Sequence, residues 1–208
     1  MTNQEKNTLR TDQQRIIDLI RPHSRVLDLG CGNGELLCKL MHKKAVQGHG
    51  IEIDVDSIIE CIEKGVPVIQ MNLDEGLGDY SDHSFDYVIL SHTLQVVKKP
   101  HLILREILRV GRTGIVSVPN FGYWKVRLQL LFKGKMPVTK TLPFDWYDTP
   151  NIHLLTIKDF KLFCKRENID IMDQVNLGVN RGKMRIGNVF PNSFAESVVF
   201  TLGKKAGP

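Results

Sequence analysis

The sequence predicts an α/β fold: a doubly wound, mostly parallel seven-stranded sheet with an antiparallel edge strand. Three observations predict it. Short apolar runs alternate with helical segments of about ten residues, the pattern of strands joined by crossover helices. The first run leads into a turn with glycine at alternate positions, Gly30, Gly32 and Gly34. The last two runs, 169–175 and 197–202, have no helix between them, which suits an antiparallel hairpin.

The elements follow in order. Thr11 can cap a first helix carrying Ile16, Ile17, Leu19 and Ile20, and Pro22 ends it. Residues 25–29 form strand one, and 33–42 a helix with Leu36, Leu37, Leu40 and Met41 inward. Strand two is 47–53. Asp54 or Asp56 caps the next helix, which turns Ile58, Ile59 and Ile62 inward and stops at Gly65. Strand three is 66–71, followed by an acidic loop, and strand four is 85–90. Pro100 suits the first turn of a helix running to Val110, with Gly111 as its stop. Strand five is 114–118. Thr156 and Asp159 form a capping box for a helix to Asn168.

The 208 residues fit one domain spanning the whole chain, long enough to bury a core. Hydrophobic content of 42% and charged content of 25% are globular. No run reaches the ~18 consecutive apolar residues of a membrane span. The first ten residues are polar, so a cytoplasmic protein is expected, without secretion and without a membrane partner. The four cysteines show neither CxxC nor zinc spacing, and no metal site is expected. Residues 98–140 carry ten Lys or Arg against Glu106 alone, within a chain of net charge +5. That stretch is either a solvated basic face or a docking surface for an acidic partner. No reading motif or stacking pattern points to nucleic acid.

Asp28 stands on an apolar strand just before the glycine turn, where an unpaired charge is costly. Glu52 ends the second strand, at the spacing of a carboxylate that grips a ribose diol. The turn reads G-x-G-x-G, not the G-x-G-x-x-G that nicotinamide enzymes favour for a diphosphate. A carboxylate near it suits the ammonium of a methionine moiety better. Asp86, at a strand start, reads as a local cap.

These features resemble class I S-adenosylmethionine-dependent methyltransferases over residues 15–120, with Asn72–Asp74 and Ser84-Phe-Asp-Tyr-Val88 as further motifs. The resemblance implies a Rossmann-like fold and S-adenosylmethionine as cofactor. It places Asp28, Gly30, Cys31, Gly32 and Gly34 at the methionine part and Glu52 with Ile53 at the ribose. Asn72 or Asp74, with Leu73, would hold the adenine in one of two registers. Ser91 and His92 would line the same cleft.

Asn72-Leu-Asp-Glu-Gly-Leu77, Ser91-His-Thr-Leu-Gln95, Pro119-Asn-Phe-Gly-Tyr-Trp-Lys-Val-Arg-Leu-Gln129 and the stretch from Pro137 to His153 are similar to the methionine-biosynthesis family MetW. That resemblance implies association with homoserine O-acyltransferase and leaves the methyl acceptor undefined. No nucleophile–base pair stands out; His92, Tyr123 and His153 are the candidates if an acceptor must lose a proton. Within residues 119–155, the run 121–132 holds more apolar surface than one helix face can bury, with basic residues interleaved, and 144–147 add Phe144, Trp146 and Tyr147. They form an acceptor lid or a partner-docking segment. Two functions therefore stand: an accessory protein whose cofactor site senses pathway output, and an active methyltransferase.

Overall fold

The computed structural model describes residues 9–139, 141–178 and 190–204. The strands are β1 (Arg25–Leu29), β2 (Gln47–Glu52), β3 (Val68–Gln70), β4 (Phe85–Ser91), β5 (Gly111–Pro119), β6 (Ile169–Leu177) and β7 (Ser197–Lys204). They form one sheet in the order β3-β2-β1-β4-β5-β7-β6. The helices are α1 (Thr11–Leu19), α2 (Glu35–Lys44), α3 (Val55–Glu63), α4 (Pro100–Val110), α5 (Trp124–Lys133) and α6 (Ile157–Arg166).

Side-chain alternation along the strands builds two cores. Val26, Ile89, Ile115 and Val199 pack with Leu36, Leu37 and Leu40 of α2 and Ile16 and Ile17 of α1. Leu27, Leu29, Val88, Leu90, Val116 and Val118 pack on the other face with Ile103, Leu104 and Ile107 of α4 and Phe160 of α6. Phe160 stacks on Phe200 with ring centroids 4.5 Å apart. The period of two on each strand decides which helix each strand residue meets. The sheet is doubly wound as expected. Chain order reverses between β1 and β4, and the crevice beyond their carboxyl ends is where such sheets bind ligands.

The hairpin edge expected of the last two strands is present, with one difference in position. β7 runs antiparallel to both β5 and β6, so the antiparallel strand lies one place in and β6 is outermost. Most of the link between them, and Lys140 of the basic stretch, lie outside the described residues.

Other expectations need correction. Thr11 is the first helical residue of α1, not its cap; Gln13 accepts from the backbone N–H of Arg10 instead. Asp54, not Asp56, caps α3 by accepting from the Ser57 N–H. α3 turns only Ile58 partly inward: Ile59 is 50% and Ile62 64% exposed, and Cys61 alone is fully buried. The reason is the neighbouring strand. β3 has only three residues and sits at the sheet edge, too little to cover an isoleucine face. Gly111 stops α4 after Val110 as expected, but in extended geometry: its φ is −102° and β5 begins there at once. A Cβ on it would lie 2.6 Å from Val88 Cγ2, so packing explains the glycine.

The acidic loop after β3 is fastened by Arg109, which donates to the Leu77 and Tyr80 carbonyls and pairs with Glu106 and Asp82. Arg105 pairs with Glu167 and Arg112 with Asp86. Three cations of the basic stretch are thus neutralised inside the fold. Asp86 also accepts from the Arg25 N–H, in keeping with a local structural role.

Candidate functional site

Leaving β1, the chain climbs through Gly30 at φ 69° and Gly32 at φ 54°, a region that L side chains rarely enter. A Cβ on Gly30 would lie 2.7 Å from Thr93, whereas Gly32 opens onto space with nothing within 4 Å. The N–H groups of Gly30 and Cys31 both donate to the Ile51 carbonyl, which ties the turn to the end of β2.

Glu52 completes that tie. Its Oε2 accepts from the Gly32 N–H at 2.8 Å, and its Oε1 from the Ile53 and Asp54 N–H groups at 2.8 and 3.1 Å. Three amides therefore hold the carboxylate and occupy three of its roughly four lone-pair sites. Glu52 lines a cavity of about 270 Å³ together with Gly30, Ile53, Asn72, Leu73 and Asp74. Asn72 Oδ1 accepts from the Asp74 N–H, while Asp74 Oδ1 accepts from the Lys98 and Lys99 N–H groups. Asp74 thus pins the loop after β4 to the cavity's far wall. Both residues line the same space.

Asp28 is 2% exposed, and its Oδ1 has no hydrogen-bond partner. Burial, reinforced by the charges of Glu52 and Asp12 and opposed by Arg10, pushes its carboxyl up to about 7. An anionic site buried without a partner is the arrangement a cationic ligand group would relieve. Gly34 packs on α3, with Cys61 Sγ 2.8 Å from where its Cβ would stand. The Cys31 and Cys61 sulfurs are 3.9 Å apart, and Cys61 Sγ donates to the Gly32 carbonyl.

Ser91 belongs to a polar network that adjoins Asp28, whose carboxyl feels the charges of Arg10 and Asp12. Its hydroxyl donates to Asp12 Oδ2 and accepts from Arg10, in a network beneath α1 that also holds Ser117. Asp12 is 3% exposed and receives Arg10 Nε at 3.1 Å. Burial opposes its ionisation, but the Arg10 guanidinium and the Arg10 and Ser117 hydrogen bonds pull its carboxyl below the usual range. Burial also drives His92 down to about 4 despite Asp12, so its ring is neutral at pH 7. Arg10 and the two serines therefore carry the stabilisation of the Asp12 charge.

This network floors a second cavity of about 460 Å³, lined by Arg10, Asp12, His92, Gln95, Phe144 and Glu196 among others. The two cavities share Val96 as a wall. His92 is held at φ 55°, and its Nε2, 3.7 Å from Asp12 Oδ2, is buried without a partner. Gln95 Nε2 donates to the His92 carbonyl, which leaves Gln95 Oε1 buried and unpaired. The Gln95 backbone carbonyl accepts from both Ile152 and His153 N–H groups.

Of the three possible proton acceptors, only His92 reaches this cavity. His153 lines a separate apolar hollow between α4 and α6. Tyr123 is buried with Val126 and Leu142, its phenol pushed up to about 12 by burial and by Glu196. Among the described residues no group of His, Cys, Asp and Glu is placed to hold a metal ion, and no helix is long and apolar enough to cross a membrane.

Sequence reasoning missed Arg10, Asp12, Thr93 and Val96. Asp12 did carry a signal: it stands four residues before Ile16 and eight before Ile20, a carboxylate on the helix's apolar stripe.

Comparisons with known proteins bear on the family and the fold. The family model described as "Methionine biosynthesis protein MetW" matches residues 10–202. The chain is 34% identical, over 95% of its length, to the bifunctional methionine biosynthesis protein MetXA/MetW of Rhodopirellula baltica. It spans 33% of that relative's length. A ubiquinone biosynthesis O-methyltransferase of Paracidovorax citrulli is 32% identical over 43% of this chain and 40% of its own. Among solved structures, a SAM-dependent methyltransferase from Archaeoglobus fulgidus superposes with TM-score 0.68 at 16% identity, covering 92% of this chain and 90% of its own. The PH0226 protein of Pyrococcus horikoshii gives 0.69 at 16% identity, covering 98% and 92%. These structural likenesses establish the class I methyltransferase-like fold, and the sequence match establishes the lineage: the chain belongs to the MetW family of methionine-biosynthesis proteins.

Proposed function

We propose that this protein binds S-adenosylmethionine in the cleft beyond β1 and β2 and supports homoserine O-acyltransferase in methionine biosynthesis. The observation that carries the cofactor reading is the pair of carboxylates: Asp28 buried and unpaired at the turn, and Glu52 amide-locked at the rim of the nucleoside-sized cavity. Asp28 would meet the ammonium of the methionine part, Glu52 the sugar hydroxyls, and Asn72, Leu73 and Asp74 the base. Bound there, the sulfonium would supply an activated methyl group. The protein's part is orientation and exclusion of water.

The partner reading rests on a surface and a relative. On α5 and its continuation, Leu131 is 74%, Phe132 77%, Trp146 73% and Tyr147 71% exposed, and Val126 is the one fully buried residue of the helix. Exposed Lys125, Arg127, Lys133 and Lys135 flank them. Aromatic anchors bordered by cations are what interface centres use. The Rhodopirellula protein joins a MetXA portion to a MetW portion in one polypeptide, an arrangement that fixes working partners at high effective concentration.

The test is to copurify the protein with the acyltransferase and titrate S-adenosylmethionine. A change in complex stability or acyl-transfer rate, without release of S-adenosylhomocysteine, supports the accessory role. No complex, or a complex indifferent to cofactor, defeats it. Steady S-adenosylhomocysteine release that depends on a defined acceptor favours the second reading, an active methyltransferase, for which the cavity sharing Val96 provides room. Phe132→Asp should weaken the complex about tenfold or more, as expected for a buried aromatic anchor. It should leave melting temperature and cofactor affinity unchanged, because Phe132 is exposed in the isolated chain. Equal affinity of the variant for the acyltransferase would place the interface elsewhere.

A further inference from the structure

Two helices leave an apolar stripe in solvent, and the stripes match. On α3, Val55, Ile59 and Ile62 stand at i, i+4 and i+7, which is one face of a helix, and each is at least half exposed. On α5, Trp124, Leu128 and Leu131 repeat that spacing and are 40–74% exposed. Each stripe is about 10 Å long, so the two can lie side by side over their full length. Their borders carry opposite charge. Asp56 and Glu63 flank the α3 stripe, and Glu60 beside them is paired with Lys64. Lys125, Lys133 and Lys135 flank the α5 stripe. Packed together, the apolar rows leave water and anions face cations at both ends. The stripes cannot meet within one chain. α3 packs on β2 and β3 at one edge of the sheet, whereas α5 follows β5, on the far side of β1 and β4.

We propose that α3 of one copy docks on α5 of a second copy, so that the chain self-associates head to tail. The two surfaces differ, so the contact is heterologous and every assembly keeps one free stripe at each end unless it closes into a ring. Two short stripes make a weak contact, with a dissociation constant in the micromolar range. The α5 stripe belongs to the face proposed for the acyltransferase. The contact therefore goes beyond that reading and describes the chain without that partner.

The experiment is sedimentation equilibrium of the full chain alone, from about 5 to 200 μM. The average mass should climb with concentration above the 23.7 kDa of one chain. Ile62→Gln and Leu131→Gln each remove one apolar anchor and keep a good helix former. Both residues are exposed in the single copy, so melting temperature should stay at the wild-type value while self-association weakens about tenfold or more. Mixing the two variants decides the geometry. The Ile62→Gln chain keeps α5 intact and the Leu131→Gln chain keeps α3 intact, so an equimolar mixture should regain the wild-type affinity and stop at two chains. A wild-type chain that stays at 23.7 kDa throughout, variants that associate as wild type does, or a mixture no larger than its components overturns the proposal. Acyltransferase is absent from every sample, so these results are independent of whether that enzyme uses α5.

Discussion

Glu52→Ala is expected to weaken S-adenosylhomocysteine binding by about 10–100-fold through the lost charge-assisted hydrogen bond alone, worth roughly 1.5–3 kcal/mol. The real loss should be larger, because Glu52 also receives the N–H groups of Gly32, Ile53 and Asp54. Without it the glycine turn and the end of β2 lose their common anchor, and the ligand must organise them at the moment of binding. Glu52→Gln separates the two contributions. It keeps one acceptor oxygen for an amide but no charge for the sugar, so it should fall between wild type and alanine. Calorimetry on the three proteins checks this. Wild-type affinity in the alanine variant would remove the ribose from this end of the cleft.

Asp28→Asn is expected to move stability and affinity in opposite directions. Asp28 has its folded-state value raised from 3.8 to about 7, chiefly by burial. Its contribution to stability is therefore fully present below about pH 4 and is lost as pH rises to about 7, by up to about 4 kcal/mol. Above pH 7 the deficit is constant. Removing the charge should raise the melting temperature at pH 8 by several degrees, at roughly 2–4 °C per kcal/mol for a chain of this size. The gain should shrink below pH 5, where the carboxyl is already protonated. The same substitution should cost cofactor affinity, because the ammonium loses its counter-charge. In the wild type, affinity should climb as pH rises towards 7 and then level off, since binding a cation at Asp28 expels a proton. Scanning calorimetry and titration across pH 5–9 read both effects. A variant that is less stable at pH 8, or that binds as tightly as wild type, would show that Asp28 is already paired.

Much of the fold was legible because the period of the apolar pattern carries it. Val26, Leu27, Leu29, Val88, Ile89 and Leu90 alternate faces as strand residues must, and α2 and α4 show helical spacing. The misreadings came where a neighbour, not the local pattern, decides the outcome. Ile59 and Ile62 look inward by spacing but meet an edge strand too short to cover them. β7 slips inside β6 because the sheet's last place is set by pairing between distant segments. The cleft was legible for a different reason. Glycines at a bend and an acid at a strand end are local backbone demands: Gly32 donates to Glu52 and Gly30 to the Ile51 carbonyl. The adjoining cavity was hidden, since Asp12, Ser91 and Ser117 come together from three elements over a hundred positions of sequence.

The carbonyl of Gln95 receives two amides from the strand of chain that follows Trp146. These two bonds tie residues 152 and 153 of the aromatic segment to the wall of the inner cavity.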